Sequence, residues 1–244
     1  MIPALVIGRE GSEGFPGKNV SDVLGRPLCW YPIKAAQEAD YVENVYVSTD
    51  FDEIASIGRE MGANIIDRDP SLATSDASAY DVFKDGFKTI DDAEDDEIDA
   101  LALLLCNSPT LTAKRLDEGI TSLLENEDLD SVVSASKYNM HSPLRARKHS
   151  DAKLVPYVPP EEIEGASPNR ETQSDTYFID GSFFVVRPEC LEDRTGQLPY
   201  KWIGDDVGFV ENQGGLDIDY RWQVPQARYW LRKHGFSEEE TPYN

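Results

Sequence analysis

Short apolar runs alternate with amphipathic stretches over the first 136 residues, and this rhythm narrows the possible folds more than any other feature of the chain. "PALVIG" (3–8), "NVYVSTD" (44–50), "NIIDRD" (64–69), "DALALLLC" (99–106) and "DSVVSAS" (130–136) have the length and apolar character of buried strands. Between them, "PLCWYPIKAAQEAD" (27–40, with Pro32 inside), "FDEIASIGREMGA" (51–63), "DASAYDVFKDGFKTI" (76–90) and "AKRLDEGITSLLENE" (113–127) read as helices. Strands separated by helices predict an α/β fold, a mostly parallel sheet with helices on both faces and 99–106 as its central strand. With 244 residues the chain fits one large domain, taken here as 1–244.

The rhythm breaks at 138–176, which is rich in Pro, Ser and charge and holds no long helix. Leu154, Val155, Tyr157 and Val158 suggest an extended arm that covers an active site or trades contacts with a second subunit. "TYFIDGSFFVVR" (176–187) reads as a strand, and 215–235 as a turn followed by a helix containing Pro225. Trp202, Trp222 and Trp230 are expected to pack rather than to meet ligand.

The first strand empties into "GREGSEGFPGKN" (8–19), a glycine-rich loop ending in Lys18 and Asn19. Backbone amides of such a turn can approach phosphate with no side chain intervening. The P-loop pattern fails twice, because Ser12 stands at its first glycine and Asn19 follows the lysine. The dinucleotide pattern fits only with stretched spacing, and no helix follows directly.

The formal charge of −23, from 23 Lys and Arg against 46 Asp and Glu, opposes binding to nucleic acid or an anionic membrane. In a chain this acidic, an anionic ligand must be met by concentrating the few cations. The abundance of Asp over Lys suggests a salt-rich habitat. No apolar stretch reaches the length of a membrane span, and the first residues lack a basic-then-apolar leader. Cys29, Cys106 and Cys190 are odd in number and have no metal-site spacing, which suggests a reducing, cytoplasmic setting. His141, His149 and His234 form no triad or metal spacing, so hydrolase chemistry has no support.

The loop resembles that of the CMP-sialic acid synthetase (acylneuraminate cytidylyltransferase) family, with its pseudaminate and legionaminate relatives. That family opens with a strand and A-R-x-x-S-K-G-x-P-x-K-N, matched here at Arg9, Ser12, Gly14, Pro16, Lys18 and Asn19. "LGRPLCWYPIKAA", "VENVYVSTDFDEIASIGREMGANIIDRDPSLATSDAS", "LLLCNSP", "DSVVSAS" and "LDIDYRWQVPQA" follow in the family's order. The resemblance implies a Rossmann-like nucleotidyltransferase fold and a reaction of CTP with an acidic 2-keto-3-deoxy sugar, giving a CMP-sugar and pyrophosphate. It also implies Mg²⁺ and a homodimer.

By that resemblance, Arg9, Ser12, Gly14, Lys18 and Asn19 bind the triphosphate, with Arg9 and Lys18 stabilising the departing pyrophosphate. Arg68, Ala77 and Ser78 meet the cytosine, while Ser75 and Asp76 also suit the N-cap of the helix beginning nearby. Asn107, Arg145, Arg170 and Asp180 face the sugar, where an arginine fork suits a carboxylate. Asp217 and Asp219, spaced i, i+2, fall on one side of an extended segment and are the metal ligands by resemblance. An isolated turn with Asp219 as N-cap is the plainer alternative.

Several positions depart from the family. Glu13 replaces its Lys, so the carboxylate either points away or belongs to a different nucleotide or metal arrangement. Leu105 replaces a substrate-orienting Gln, Leu111 an Arg, and Asp180 an Asn. The nucleotide half is therefore better matched than the sugar half. Two other functions stay open: transfer to a phosphonate or sugar phosphate, or nucleotide binding without turnover.

Overall fold

In the computed structural model, residues 1–192 and 196–243 are described, except for the side chain of Arg170. The elements in chain order begin with β1 (Ala4–Ile7), β2 (Asp22–Val23), β3 (Arg26–Pro27) and α1 (Trp30–Gln37). Next come β4 (Val45–Thr49), α2 (Asp52–Glu60), β5 (Asn64–Asp67), α3 (Ala79–Asp91), β6 (Leu101–Leu105), α4 (Ala113–Leu124) and β7 (Ser131–Lys137). The chain closes with β8 (Arg147–Ser150), β9 (Lys153–Pro156), β10 (Tyr177–Val186), β11 (Val207–Glu211) and α5 (Val224–Lys233).

Seven strands form one sheet in the order β5-β4-β1-β6-β10-β7-β11. All neighbours are parallel except β10, which runs antiparallel to both β6 and β7. The expected mostly parallel sheet is present. β11 carries no strong apolar alternation and is an element the sequence pattern did not reveal.

The period of two along each strand sends neighbouring residues to opposite faces. Ala4, Val6, Ala102 and Leu104 pack in one core with Ile33 of α1, Ile54 of α2, and Leu116 and Ile120 of α4. Leu5, Leu101 and Leu103 pack in a second core with Val82 and Phe83 of α3 and with Trp202. A third cluster joins Phe15 of the glycine loop and Ile218 to Trp230 and Leu231 of α5.

Both helix prolines lie near amino termini. Pro32 is the third residue of α1 and Pro225 falls in the first turn of α5, where the missing N–H has no intrahelical partner to lose. The expected turn followed by a helix containing Pro225 is present, the turn ending in a 3-10 segment at Arg221–Gln223 before α5. Trp202 and Trp230 are buried as expected, but Trp222 is 65% exposed and stacks on Tyr220 instead of packing inside.

Segment 138–176 contains the β8–β9 hairpin among 3-10 turns. Its base is tied down: Lys137 Nζ lies 2.8 Å from Asp175, and Tyr138 Oη donates to the Gly215 carbonyl at 2.7 Å. Its outer part stands in solvent, with Leu154 74% exposed.

Candidate active site

β1 lies between β4 and β6, and the chain proceeds from β1 to one side through β4 and β5 before returning to the other at β6. Loops leaving the carboxyl ends of strands at such a reversal diverge and leave a crevice between them. A cavity of about 430 Å³ opens there, walled by the loop after β1, the segment entering α3, and the end of β6.

The glycine loop is closed on itself. Asn19 Nδ2 donates to the Arg9 carbonyl at 3.1 Å, while Cys29 N donates to the Asn19 carbonyl at 2.8 Å. Asn19 is buried and its Oδ1 has no hydrogen-bond partner among the described residues. Gly14 lies outside the wall, with the Asp219 carbonyl where a Cβ would stand 2.9 Å away. Its lack of a side chain lets the loop meet the 217–220 segment. Glu13 is among the residues that line the cavity.

Arg9, Lys18 and Arg68 bring three cations to the same cavity, against the carboxylates of Glu13 and Asp219. Arg68 is only 7% exposed. Its Nη2 and Nε donate to the carbonyl and hydroxyl of Ser48 at 2.5 and 3.3 Å, and burial pushes its pKa down. This is a guanidinium held rigidly where its charge is costly unless an anion arrives. Ser12, Ala77 and Asn107 also line the cavity. Ser78 does not: it caps α3, accepting from Asp81 N at 3.2 Å. Thr74 and Ser75, together with the apolar Ile7, Leu72 and Val82, complete walls that the motif had not singled out. Ser75 does not cap α3; that role falls to Ser78.

The two aspartates of "LDID" differ. Ile218 between them is fully buried beside Phe15, which fixes the segment against the glycine loop. Asp219 faces the cavity, and its Oδ1 lies 2.7 Å from Lys18 Nζ and 3.4 Å from Asn107 Nδ2. Asp217 is half-buried. Burial first, and the Asp219 charge second, push its carboxyl above the ordinary carboxylate range. Gln223 clamps the segment: its Oε1 accepts from the amides of Asp219 and Tyr220 at 2.8 and 2.7 Å. Asp219 is therefore not the helix N-cap. The Asp219 charge disfavours ionised Asp217, a penalty a divalent cation would relieve. Mg²⁺ needs only one or two carboxylates beside phosphate oxygens, and only Asp219 of the two lines the cavity. Among the described residues no third His, Cys, Asp or Glu joins them.

Asp180 turns away from the cavity. It is 5% exposed and accepts from Ser134 Oγ at 2.7 Å, Ser136 Oγ at 2.6 Å and Ser182 N at 3.1 Å. Ser136 Oγ in turn accepts from Gly215 N at 2.9 Å, and a Cβ at Gly215 would stand 2.4 Å from Asp180 Oδ2. So Asp180 holds the approach to Asp217 from beneath instead of reaching a sugar in this chain's cavity. Arg145 is exposed in the arm, donating from Nη2 to the Asn139 carbonyl at 2.5 Å, and does not line the cavity. The Arg170 side chain lies outside the described residues; its backbone begins the 3-10 turn at Arg170–Thr172. None of the described arm residues lines the cavity.

Residues 3–173 match the family model described as cytidylyltransferase. An N-acylneuraminate cytidylyltransferase of Escherichia coli O18:K1:H7 is 30% identical over 90% of this chain and 49% of its own length. N-acylneuraminate cytidylyltransferase A of Danio rerio is 26% identical over 99% of this chain and 53% of its own length. The chain thus spans about half the length of these curated relatives. A solved CMP:2-keto-3-deoxy-manno-octonic acid synthetase, complexed with CTP, superposes with a TM-score of 0.68 over 95% of this chain and 98% of that one, at 14% identity, a likeness of fold. Taken with the family match over most of the chain, the crevice at the sheet reversal is that of a nucleotidyltransferase fold, and the chain belongs to the cytidylyltransferase family.

Proposed function

We propose that the chain transfers the cytidylyl group of CTP to the anomeric hydroxyl of an acidic 2-keto-3-deoxy sugar, forming a CMP-sugar and pyrophosphate. The observation that carries this is the gathering of Arg9, Lys18 and Arg68 in one crevice of a protein whose net charge is −23. Fixed cations there offset charge that builds on pyrophosphate as the bond between the α-phosphorus and the bridging oxygen breaks. Asp217 and Asp219 would hold Mg²⁺, which would supply charge screening on the phosphates. Ile218 and Gln223 keep that carboxylate pair oriented before any ligand arrives.

Arg145, and Arg170 by its place in the arm, would meet the acid sugar from the partner in a homodimer, since the arm stands clear of its own cavity. The exposed Leu154 and Tyr157 support such a contact. Among the described residues no helix is long and apolar enough to cross a membrane. A cytoplasmic location and a salt-rich habitat follow from the composition and belong to the same proposal.

A second acceptor class has one specific support. Leu105 lines the cavity where the family has a glutamine, and Leu111 is buried in the apolar core where it has an arginine. A phosphonate or sugar phosphate would then take the place of the acid sugar. Pyrophosphate release with CTP and Mg²⁺ tests both: a panel of acidic keto-sugars and phosphorylated sugars names the acceptor. CTP binding with no release on any of them would leave a nucleotide-binding module.

A further inference from the structure

Lys18 and Asp219 lie 201 positions apart in sequence, yet their charged atoms are 2.7 Å apart in a site prepared from both sides. Lys18 starts a 3-10 turn whose backbone is pinned by Lys18 N to the Phe15 carbonyl at 3.1 Å, and only 14% of its side chain is exposed. Asp219 is fixed by the buried Ile218 before it and by Gln223 on its own amide. The contact is therefore made by two anchored segments, unlike a loose surface pair. Both side chains line the 430 Å³ cavity, and Asn107 Nδ2 approaches the same Oδ1.

We propose that the Lys18 ammonium occupies the cation position on Asp219 until nucleotide arrives, so that divalent cation and nucleotide bind as a coupled pair. This rests on the assignment of the crevice to a nucleoside triphosphate. The Lys18 ammonium on Oδ1 offsets the charge a divalent ion would bind, so it weakens Asp219 as a metal ligand even with Oδ2 left open. A divalent ion alone must bind against the Lys18 charge or displace it, and displacement leaves the ammonium, on a side chain only 14% exposed, without its carboxylate partner. A triphosphate offers that ammonium several negative oxygens, and the flexible lysine stem can follow them. Asp219 is then released to the metal. Coupling of this kind is reciprocal: nucleotide strengthens metal binding and metal strengthens nucleotide binding by the same factor. The arrangement also spares an acidic protein from filling its site with stray cations when no substrate is present.

The test is direct Mn²⁺ binding to the full chain without nucleotide, by titration calorimetry or by the spin-resonance signal of free Mn²⁺. It is run in high salt, with Asp219→Asn as the baseline for surface carboxylates. Lys18→Met and Lys18→Gln should bind Mn²⁺ tighter than the wild type by about fivefold or more, while Lys18→Arg, which keeps the charge, stays near the wild type. Equal Mn²⁺ affinity in the wild type and both folded neutral variants, each above the Asp219→Asn baseline, overturns the proposal. Should one neutral variant fail to fold, the other carries the measurement. Failure of the wild type to bind CTP even with Mn²⁺ would sink the nucleotide assignment instead, and is read separately from the metal-alone comparison.

Discussion

The crevice at the end of β1 and the arm at 138–176 differ in how much of each is finished within one chain. In the crevice, Arg68 is buried and bonded, the loop from Arg9 to Asn19 is clasped shut, and the cations already face one cavity. In the arm, the β8–β9 hairpin is exposed, Leu154 and Tyr157 lie in water, and Arg145 reaches only a neighbouring carbonyl. The first region is organised by a sheet that the chain itself buries. The second carries apolar and cationic groups that are exposed among the described residues. Under the proposed function, the contrast is between a nucleotide site complete within one chain and an acceptor site that is not.

The largest expected effect strikes the finished region. Arg9→Ala should lower kcat/KM for CTP by about 10²–10³-fold, the cost of losing one fixed group that stabilises charge developing in the transition state; steady-state pyrophosphate release measures it. A drop under threefold would place the triphosphate elsewhere. Next comes the support beneath the carboxylates. Gly215→Ala puts a methyl group against Asn212 and Asp180 and should cost about 1–3 kcal/mol by overpacking, seen as a lower Tm together with weaker Mn²⁺ binding. An unchanged Tm would show that the buried serine–aspartate network yields easily.

A smaller effect separates cap from ligand. Ser78→Ala removes the N-cap of α3 and should destabilise the fold by about 1 kcal/mol in denaturant unfolding. CTP affinity should change less than twofold; a larger loss would restore Ser78 to the nucleotide site. The smallest effect sharpens the comparison itself. Arg145→Ala should leave CTP affinity within twofold of the wild type while raising KM for the acceptor. Equal damage to both substrates would mean that the arm closes over its own cavity.

The elements most readily read from sequence were those whose burial is repeated locally. β1, β4, β6 and β7 are buried on both faces, and α2, α3 and α4 carry one apolar stripe, so their sequence pattern located them within a few residues. β11 escaped because Val207–Glu211 is an edge strand with mixed exposure. In the site, Arg9, Ser12, Lys18, Asn19, Arg68, Ala77, Asn107 and Asp219 all come to the cavity as their motif suggested. Asp180 did not, because a carboxylate in a strand can face either way, and three hydrogen-bond donors beneath the sheet captured it. Only Ser182 N is local; Ser134 and Ser136 lie on another strand, more than forty residues away.

By itself, the sequence determined the alternating α/β layering, the phosphate-type loop at the end of the first strand, and the scarcity of cations that makes each one informative. Local periodicity and residue chemistry are enough for those, because they act within a few turns of chain. The tertiary structure alone decided that Lys18 meets Asp219 across 201 residues, that Asp180 supports from below instead of facing ligand, and that the arm stands clear of the cavity. Those outcomes depend on which distant groups compete for the same carboxylate or the same space, and that competition begins only once the sheet has brought them together.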